Sequence, residues 1–259
     1  MKMKMLALLL AAVPLAAAPP RVVNGSVQSV PTLAQAASIN EGWLAYALAT
    51  PQGFSSCGCS LASDNNNISR SNDDDIGTGP TSVLLFIRMH EGRADRVRFL
   101  SPECSVNANG KTIAWVENVS DRENVAFLKS IADNDTDRAY NGALLALTLN
   151  PLGTDALIDI AKHNPNGHVR GNALFWLSQQ AGAKAAATLR DAVDNDPEEN
   201  VRAKAVFGIS QLPNDQSIPL LVDLLKHNRS REVRKKAAFW LGQKNDPRAL
   251  AAIEDVLRQ

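Results

Sequence analysis

Cysteine is the most reactive side chain type in this 259-residue chain, and its three copies lie in the first half: Cys57, Cys59 and Cys104. In an oxidising compartment Cys104 can pair with either Cys57 or Cys59, closing a loop of about 45 residues worth on the order of 3 to 4 kcal/mol in the chain-entropy picture. One thiol is then left over. A redox role asks for a reactive thiolate, and a Cys-x-Cys in a polar stretch, with no Cys-x-x-Cys at a helix start, is a weak basis for one. A zinc site would lack a fourth ligand, because His90 is the only histidine nearby in sequence.

The first two cysteines sit in the most polar part of the chain, Ser55 to Pro80, which contains Asn65-Asn66-Asn67 and Asp73-Asp74-Asp75. Clustered Asp and Asn oxygens are what calcium takes, but the ligand spacing and the Gly-then-distal-Glu pattern of an EF-hand are missing. The run reads as a surface loop, too poor in apolar groups to offset its ordering entropy. A second charged feature is basic. Arg229, Arg231, Arg234, Lys235 and Lys236 crowd the start of a helix, where positive charge opposes the dipole. A solvated surface explains them in part, since Glu232 offsets some of the charge; the functional reading is a docking site for an acidic partner that weakens as salt rises. The chain has no Gly-x-Ser-x-Gly elbow, phosphate loop or His-Glu-x-x-His, so no catalytic, cofactor or metal residues are assigned.

Formal charge is zero and 45% of residues are apolar, enough for a core and without a global pull toward nucleic acid or anionic membrane. Residues 1–18 read as a secretory signal peptide, with Lys2 and Lys4, the apolar Leu6 to Leu15, and small residues Ala16 to Ala18. The expected location is therefore periplasmic or secreted, with no membrane attachment after cleavage. Residues 19–40 have no steady period and read as a linker.

From 41 to 119 the pattern turns to β. Trp43 to Leu48, Thr81 to Met89 and a run starting at Val97 are candidate strands, and Asn109-Gly110 between two extended runs signals a hairpin. A small antiparallel sheet is expected. Ser120-Asp121-Arg122-Glu123 is a capping box that opens the first long helix.

The C-terminal half repeats every 32 residues. Val169-Arg170, Val201-Arg202 and Val233-Arg234 are followed by Ala173, Ala205 and Ala237, by Phe175, Phe207 and Phe239, and by Gln179, Gln211 and Gln243. Such a period marks a solenoid. Val, Ala and Leu or Ile form one stripe of each first helix, with Phe nearly opposite, which predicts a helix buried on both sides. Trp176 and Trp240 are placed in that core, and Gly208, their counterpart in the middle repeat, suggests a groove. Ile218, Leu221, Leu224, Leu225, Leu250, Ile253, Val256 and Leu257 supply the inner stripes of second helices. A degenerate copy around Ala143 to Leu147, out of register by two, precedes the others. Asn164-Pro165 and Asp196-Pro197 read as N-cap followed by Pro at N1.

Val-Arg-x-x-Ala-x-x-x-Leu, together with Asn245-Asp246-Pro247-Arg248-Ala249-Leu250, resembles short bacterial HEAT-like repeats of the type first described in phycobilin lyases. The resemblance implies an α-α superhelix whose inner surface, usually lined by second helices, binds protein. HEAT-like deoxyhypusine hydroxylases hold two irons with His-Glu pairs, whereas His163, His168 and His227 precede Asn164, Val169 and Asn228. His163 and His227 read as helix-end residues, and His90-Glu91 stands alone.

The expected fold is thus multidomain: a small β-rich (α+β) N-terminal domain, then from 120 to 259 an all-α HEAT-like solenoid of about four helix pairs. The two should be separable near Ser120. The expected function is a non-enzymatic exported scaffold or adaptor for protein partners; the alternative is a thiol-dependent redox or metal-binding envelope protein using Cys57, Cys59 and Cys104.

Overall fold

The computed structural model describes residues 18–50, 54–56, 61, 68–70, 82–134, 139–180 and 182–258. The chain opens with β1 (Arg21–Val23), β2 (Ser26–Val30) and α1 (Leu33–Ala37), so the linker expected over 19–40 is corrected. These segments are too short to show a period, yet Leu33 and Ala36 are buried and β2 finds a sheet edge to pair with. Then follow β3 (Glu41–Ala49), β4 (Phe54–Ser56), β5 (Ile68–Arg70), β6 (Ser82–His90), β7 (Arg93–Leu100), β8 (Ser105–Asn107) and β9 (Thr112–Val116).

The main sheet has the order β2-β9-β3-β6-β7 and is mixed, not antiparallel. β9 runs parallel to both β2 and β3, while β3-β6 and β6-β7 are antiparallel. Asn109 and Gly110 do turn with positive φ, 51° and 77°, and Lys111 N donates to Ala108 O at 3.0 Å. The turn chemistry was legible, but it joins two sheets: β8 pairs with β1 and β9 with β2 and β3. The true hairpin joins β6 and β7 through Glu91 and Gly92, both at positive φ. Both faces of the sheet are covered. Leu44, Tyr46, Leu85 and Ile87 join the main core, while Trp43, Ala45, Phe86 and Trp115 join a second cluster with Leu61 and Val106. This is why β3 and β6 read as continuous apolar runs instead of alternating ones.

The helices are α2 (Asp121–Asp133), α3 (Ala139–Leu149), α4 (Gly153–His163), α5 (Gly167–Ser178), α6 (Ala183–Asn195), α7 (Glu199–Gln211), α8 (Asn214–His227), α9 (Arg231–Gly242) and α10 (Pro247–Leu257). Ser120 caps α2 as expected, its Oγ accepting from Glu123 N at 3.3 Å while Ser120 N donates to Glu123 Oε2 at 3.2 Å. α3 to α10 form four pairs. The first helices stack as one layer, α3 on α5 on α7 on α9, and second helices α4 on α6 and α8 on α10 form another.

The stripes Val169-Ala173-Leu177, Val201-Ala205-Ile209 and Val233-Ala237-Leu241 are buried throughout. In α3 the equivalent buried residues are Ala143 and Leu147, which is the two-residue slip seen in the sequence. The expectation for the joints is corrected. Asn164, Asp196 and Asn228 close the preceding helix, and each side-chain oxygen accepts from the backbone N–H two residues on, at 2.9 Å in all three. Pro165 and Pro197 therefore lie in the joint, ahead of the next helix. Pro247, by contrast, is the first residue of its helix, behind Asp246 as N-cap.

Sheet and repeats share one core. The main cluster runs without a break from Leu33 to Ala249. Tyr46, fully buried, donates its hydroxyl to Asn124 Oδ1 at 2.9 Å, and α3 lies so close to β7 that a Cβ on Gly142 would meet Val97 Cβ at 2.6 Å. No helix among the described residues is long and apolar enough to cross a membrane.

Candidate functional site

Each repeat arginine has a structural task. Arg170, Arg202 and Arg234 send Nη1 back to the carbonyls of Asn164, Asp196 and Asn228, at 2.9, 2.7 and 2.7 Å, fixing the joint six residues earlier. This corrects one member of the basic cluster, because Arg234 is half-buried and holds its own joint. The other four are less committed. Arg229 is exposed in the joint itself and Arg231 is exposed at the start of α9; Lys235 pairs with Glu232 at 2.9 Å, and Lys236 is half-buried on the outer side of α9. Arg231, Lys235 and Lys236 surround Glu232 and together hold its carboxyl below the ordinary range, Lys235 most.

Ion pairs stitch α2 to α4 and the second helices to one another. Lys129 reaches Asp159 at 3.3 Å, Lys162 reaches Asp191 at 3.6 Å, Arg190 reaches Asp223, and Lys226 reaches Asp255 at 2.5 Å. His163 and His227 belong to this row, each Nδ1 lying 2.8 Å from an oxygen of Asp159 or Asp223 four residues earlier. His163, then Lys129, hold the Asp159 carboxyl below its ordinary range; Arg190, then His227, do the same for Asp223. The histidines are thus partners of carboxylates. The other pair noted in the sequence, His90-Glu91, ends β6 at the surface, with His90 Nδ1 2.8 Å from Glu41. Among the described residues no group of three or more His, Cys, Asp or Glu could hold a metal ion.

First helices carry a different surface. The Phe row is not core: Phe175 and Phe207 are half-buried and Phe239 is 58% exposed. The rings form a ladder across three repeats. Phe175 packs on Trp176 with centroids 5.1 Å apart and stacks on Phe207 at 6.3 Å with an interplanar angle of 2°; Phe207 meets Trp240 at 5.1 Å, and Trp240 meets Phe239 at 4.9 Å. Trp176 and Trp240, expected in the core, are half-buried at its edge, where Trp176 Nε1 donates to Asn141 Oδ1 at 3.2 Å. Gly208 opens no groove. A Cβ there would meet Leu189 Cδ2 at 2.5 Å, so α6 fills the space.

Two polar rows with the repeat's period flank the ladder. Asn172, Lys204 and Lys236 occupy one position in successive repeats; Lys204 Nζ donates to Asn172 Oδ1 at 3.1 Å, and burial lowers its pKa. Gln179, Gln211 and Gln243, all exposed, form the other. The sequence reading saw the Phe spacing but missed its exposure. Lys204 and Lys236 one turn before Phe207 and Phe239 were the available signal, since lysine rarely shares a face with a buried stripe.

Cys104 is buried in the second cluster beside Val106 and Trp115. Cys57, Cys59, the Asn65 to Asn67 run and the Asp73 to Asp75 run fall outside the described residues.

The chain's similarities agree with this geometry. Residues 154–238 match the family of HEAT repeats, and residues 233–259 match the PBS lyase HEAT-like repeat. No curated protein matches the chain.

Proposed function

From an array of HEAT-like repeats joined to a β-rich N-terminal region, we propose a non-enzymatic, exported scaffold that binds a protein partner on the outer side of its first helices. The observation that carries this reading is the Phe175-Phe207-Phe239 ladder. A contiguous aromatic strip half open to water, rimmed by amides and lysines, has the composition of a recognition surface. Lys204 and Lys236 give the partner its chemistry, an extended segment with apolar side chains and interspersed acids. The inner face expected to bind protein is instead rich in self-paired ions, which gain less from a partner.

Export rests on the leader-like residues 1–18, and cell fractionation with N-terminal sequencing tests it: a chain starting at Met1 in the cytoplasm would end that part of the proposal. Burial of Cys104 favours a structural disulfide to Cys57 or Cys59 over thiol chemistry. For the surface, partners cross-linked to the wild-type chain are compared with those of Phe207→Ser/Phe239→Ser and Lys204→Glu/Lys236→Glu. The same partner should be lost in both, with folding intact by circular dichroism. A partner retained by both variants and lost in Arg190→Glu would move the site to the second helices.

A further inference from the structure

Two joints between repeats contain the same cleft, and in one of them the repeat arginine lacks the carboxylates that grip its counterpart in the other. The first, about 450 Å³, is lined by Lys162, Arg170, Asp191 and Asp196, two cations against two carboxylates. They neutralise each other: Lys162 reaches Asp191 at 3.6 Å, while Arg170 Nε and Nη2 grip Asp196 and Nη2 also takes Glu198 at 3.1 Å. The next cleft, about 500 Å³, is lined by Arg190, Arg202 and Arg229 against Asp194 alone. Thirty-two residues on from Asp196 and Glu198 stand Asn228 and Ser230, so the carboxylates that hold Arg170 have no counterpart for Arg202.

The remaining groups in that cleft are already committed. Arg190 is held by Asp194 and Asp223, His227 by Asp223, and the Asn228 amide donates to Asp194 at 2.9 Å. Arg202 uses only Nη1, on the carbonyls of Asp196 and Pro197, and among the described residues neither its Nε and Nη2 edge nor the Arg229 guanidinium has a carboxylate partner. The first turn of α9, capped by Ser230, adds backbone N–H groups and the positive end of its dipole.

We propose that this cleft binds a carboxylate from outside the chain, gripped by the Nε and Nη2 edge of Arg202 with Arg229 and Ser230 beside it. The preceding joint supplies the template: a guanidinium at this position is completed by carboxylate oxygens in a two-pronged geometry. The carboxylate can be an acidic side chain of a protein partner or a small free acid. This inference does not depend on the aromatic ladder.

The test titrates full-length protein with sodium succinate and, separately, with a short peptide carrying paired aspartates, at ionic strength matched with chloride, following the arginine Nε–H resonances. Both probes should shift Arg202, and Arg202→Gln should weaken binding about tenfold or more. Asn228→Asp/Ser230→Glu, which restores the internal carboxylates of the preceding joint, should abolish the response. Tighter binding of the peptide identifies a protein side chain as the source; equal binding identifies a small acid. No Arg202 shift beyond the chloride control, or undiminished binding in both Arg202→Gln and Asn228→Asp/Ser230→Glu, overturns the proposal. If the double variant fails to fold, Arg202→Gln alone decides.

Discussion

Arg170 grips Asp196 across a joint between repeats, Nε to Oδ2 at 2.8 Å and Nη2 to Oδ1 at 3.0 Å, with side chains only 8% and 6% exposed. Removing one partner leaves the other charge buried and unmatched. Asp196→Ala is therefore expected to cost about 3 kcal/mol or more. Arg170→Lys should recover little of a comparable loss, because an ammonium cannot serve two carboxylate oxygens and two carbonyls at once. Urea unfolding of both variants checks this; a Lys variant as stable as wild type would show that charge alone matters here.

Gly142 marks the seam between sheet and helices. Its missing Cβ leaves room for Val97, so Gly142→Ala should destabilise the whole protein by about 1 to 3 kcal/mol despite its better helix propensity. Val97→Ala in the same chain should recover part of the loss, a coupling read by a double-mutant cycle. Strict additivity would mean that α3 and β7 do not touch there. A fragment starting at Ser120, deprived of that seam, should melt lower than the full chain and bind an apolar dye.

Repeat proteins are often improved by imposing the majority residue, and at Gly208 that rule should fail. Trp occupies the position in the repeats on either side, yet Leu189 already sits 2.5 Å from where a Cβ would be. Gly208→Trp is expected to lower the melting temperature, and Leu189→Ala should relieve the Gly208→Ala variant. A melting temperature raised by Trp would mean that α6 yields.

Acid should loosen the last helix first. Arg248, through its side chain and then its backbone N–H, holds the Asp246 carboxyl down to about 2 from an ordinary 3.8. A folded-state value below the unfolded one stabilises above the unfolded value and is lost as pH falls through the folded one. The advantage of wild type over Asp246→Asn should be full above pH 4 and vanish toward about pH 2. Unfolding midpoints measured across that range test it; a constant difference would assign the effect to capping alone.

The repeat was legible because Val, Arg and Ala recur at fixed spacing and every copy needs the same contacts. Strand positions were legible too, since Trp43 to Leu48 and Thr112 to Val116 are β-rich runs. Three things were not. Pairing of β9 with β2 and β3 depends on segments more than 60 residues apart, which no local pattern encodes. Exposure of the Phe row depends on what the rest of the described chain leaves uncovered, whereas periodicity reports only that two sides are apolar. And the carboxylates that Arg202 lacks can be noticed only after Arg170 is seen reaching 26 and 28 residues ahead, to Asp196 and Glu198.

The ion-pair stitches of the second helices give the array an elasticity that salt can tune. Exposed pairs such as Lys162-Asp191 and Arg190-Asp223 weaken as screening rises, while aromatic contacts on the first helices do not. One layer is thus a spring whose stiffness falls with ionic strength, laid against a second whose stiffness is nearly fixed. Dissolved salt should therefore lengthen the second-helix side and change the curvature of the superhelix without unfolding a single helix. Small-angle scattering at low and high salt would register that as a shift in radius of gyration at constant helical content, and identical curves would show the two layers to be equally stiff.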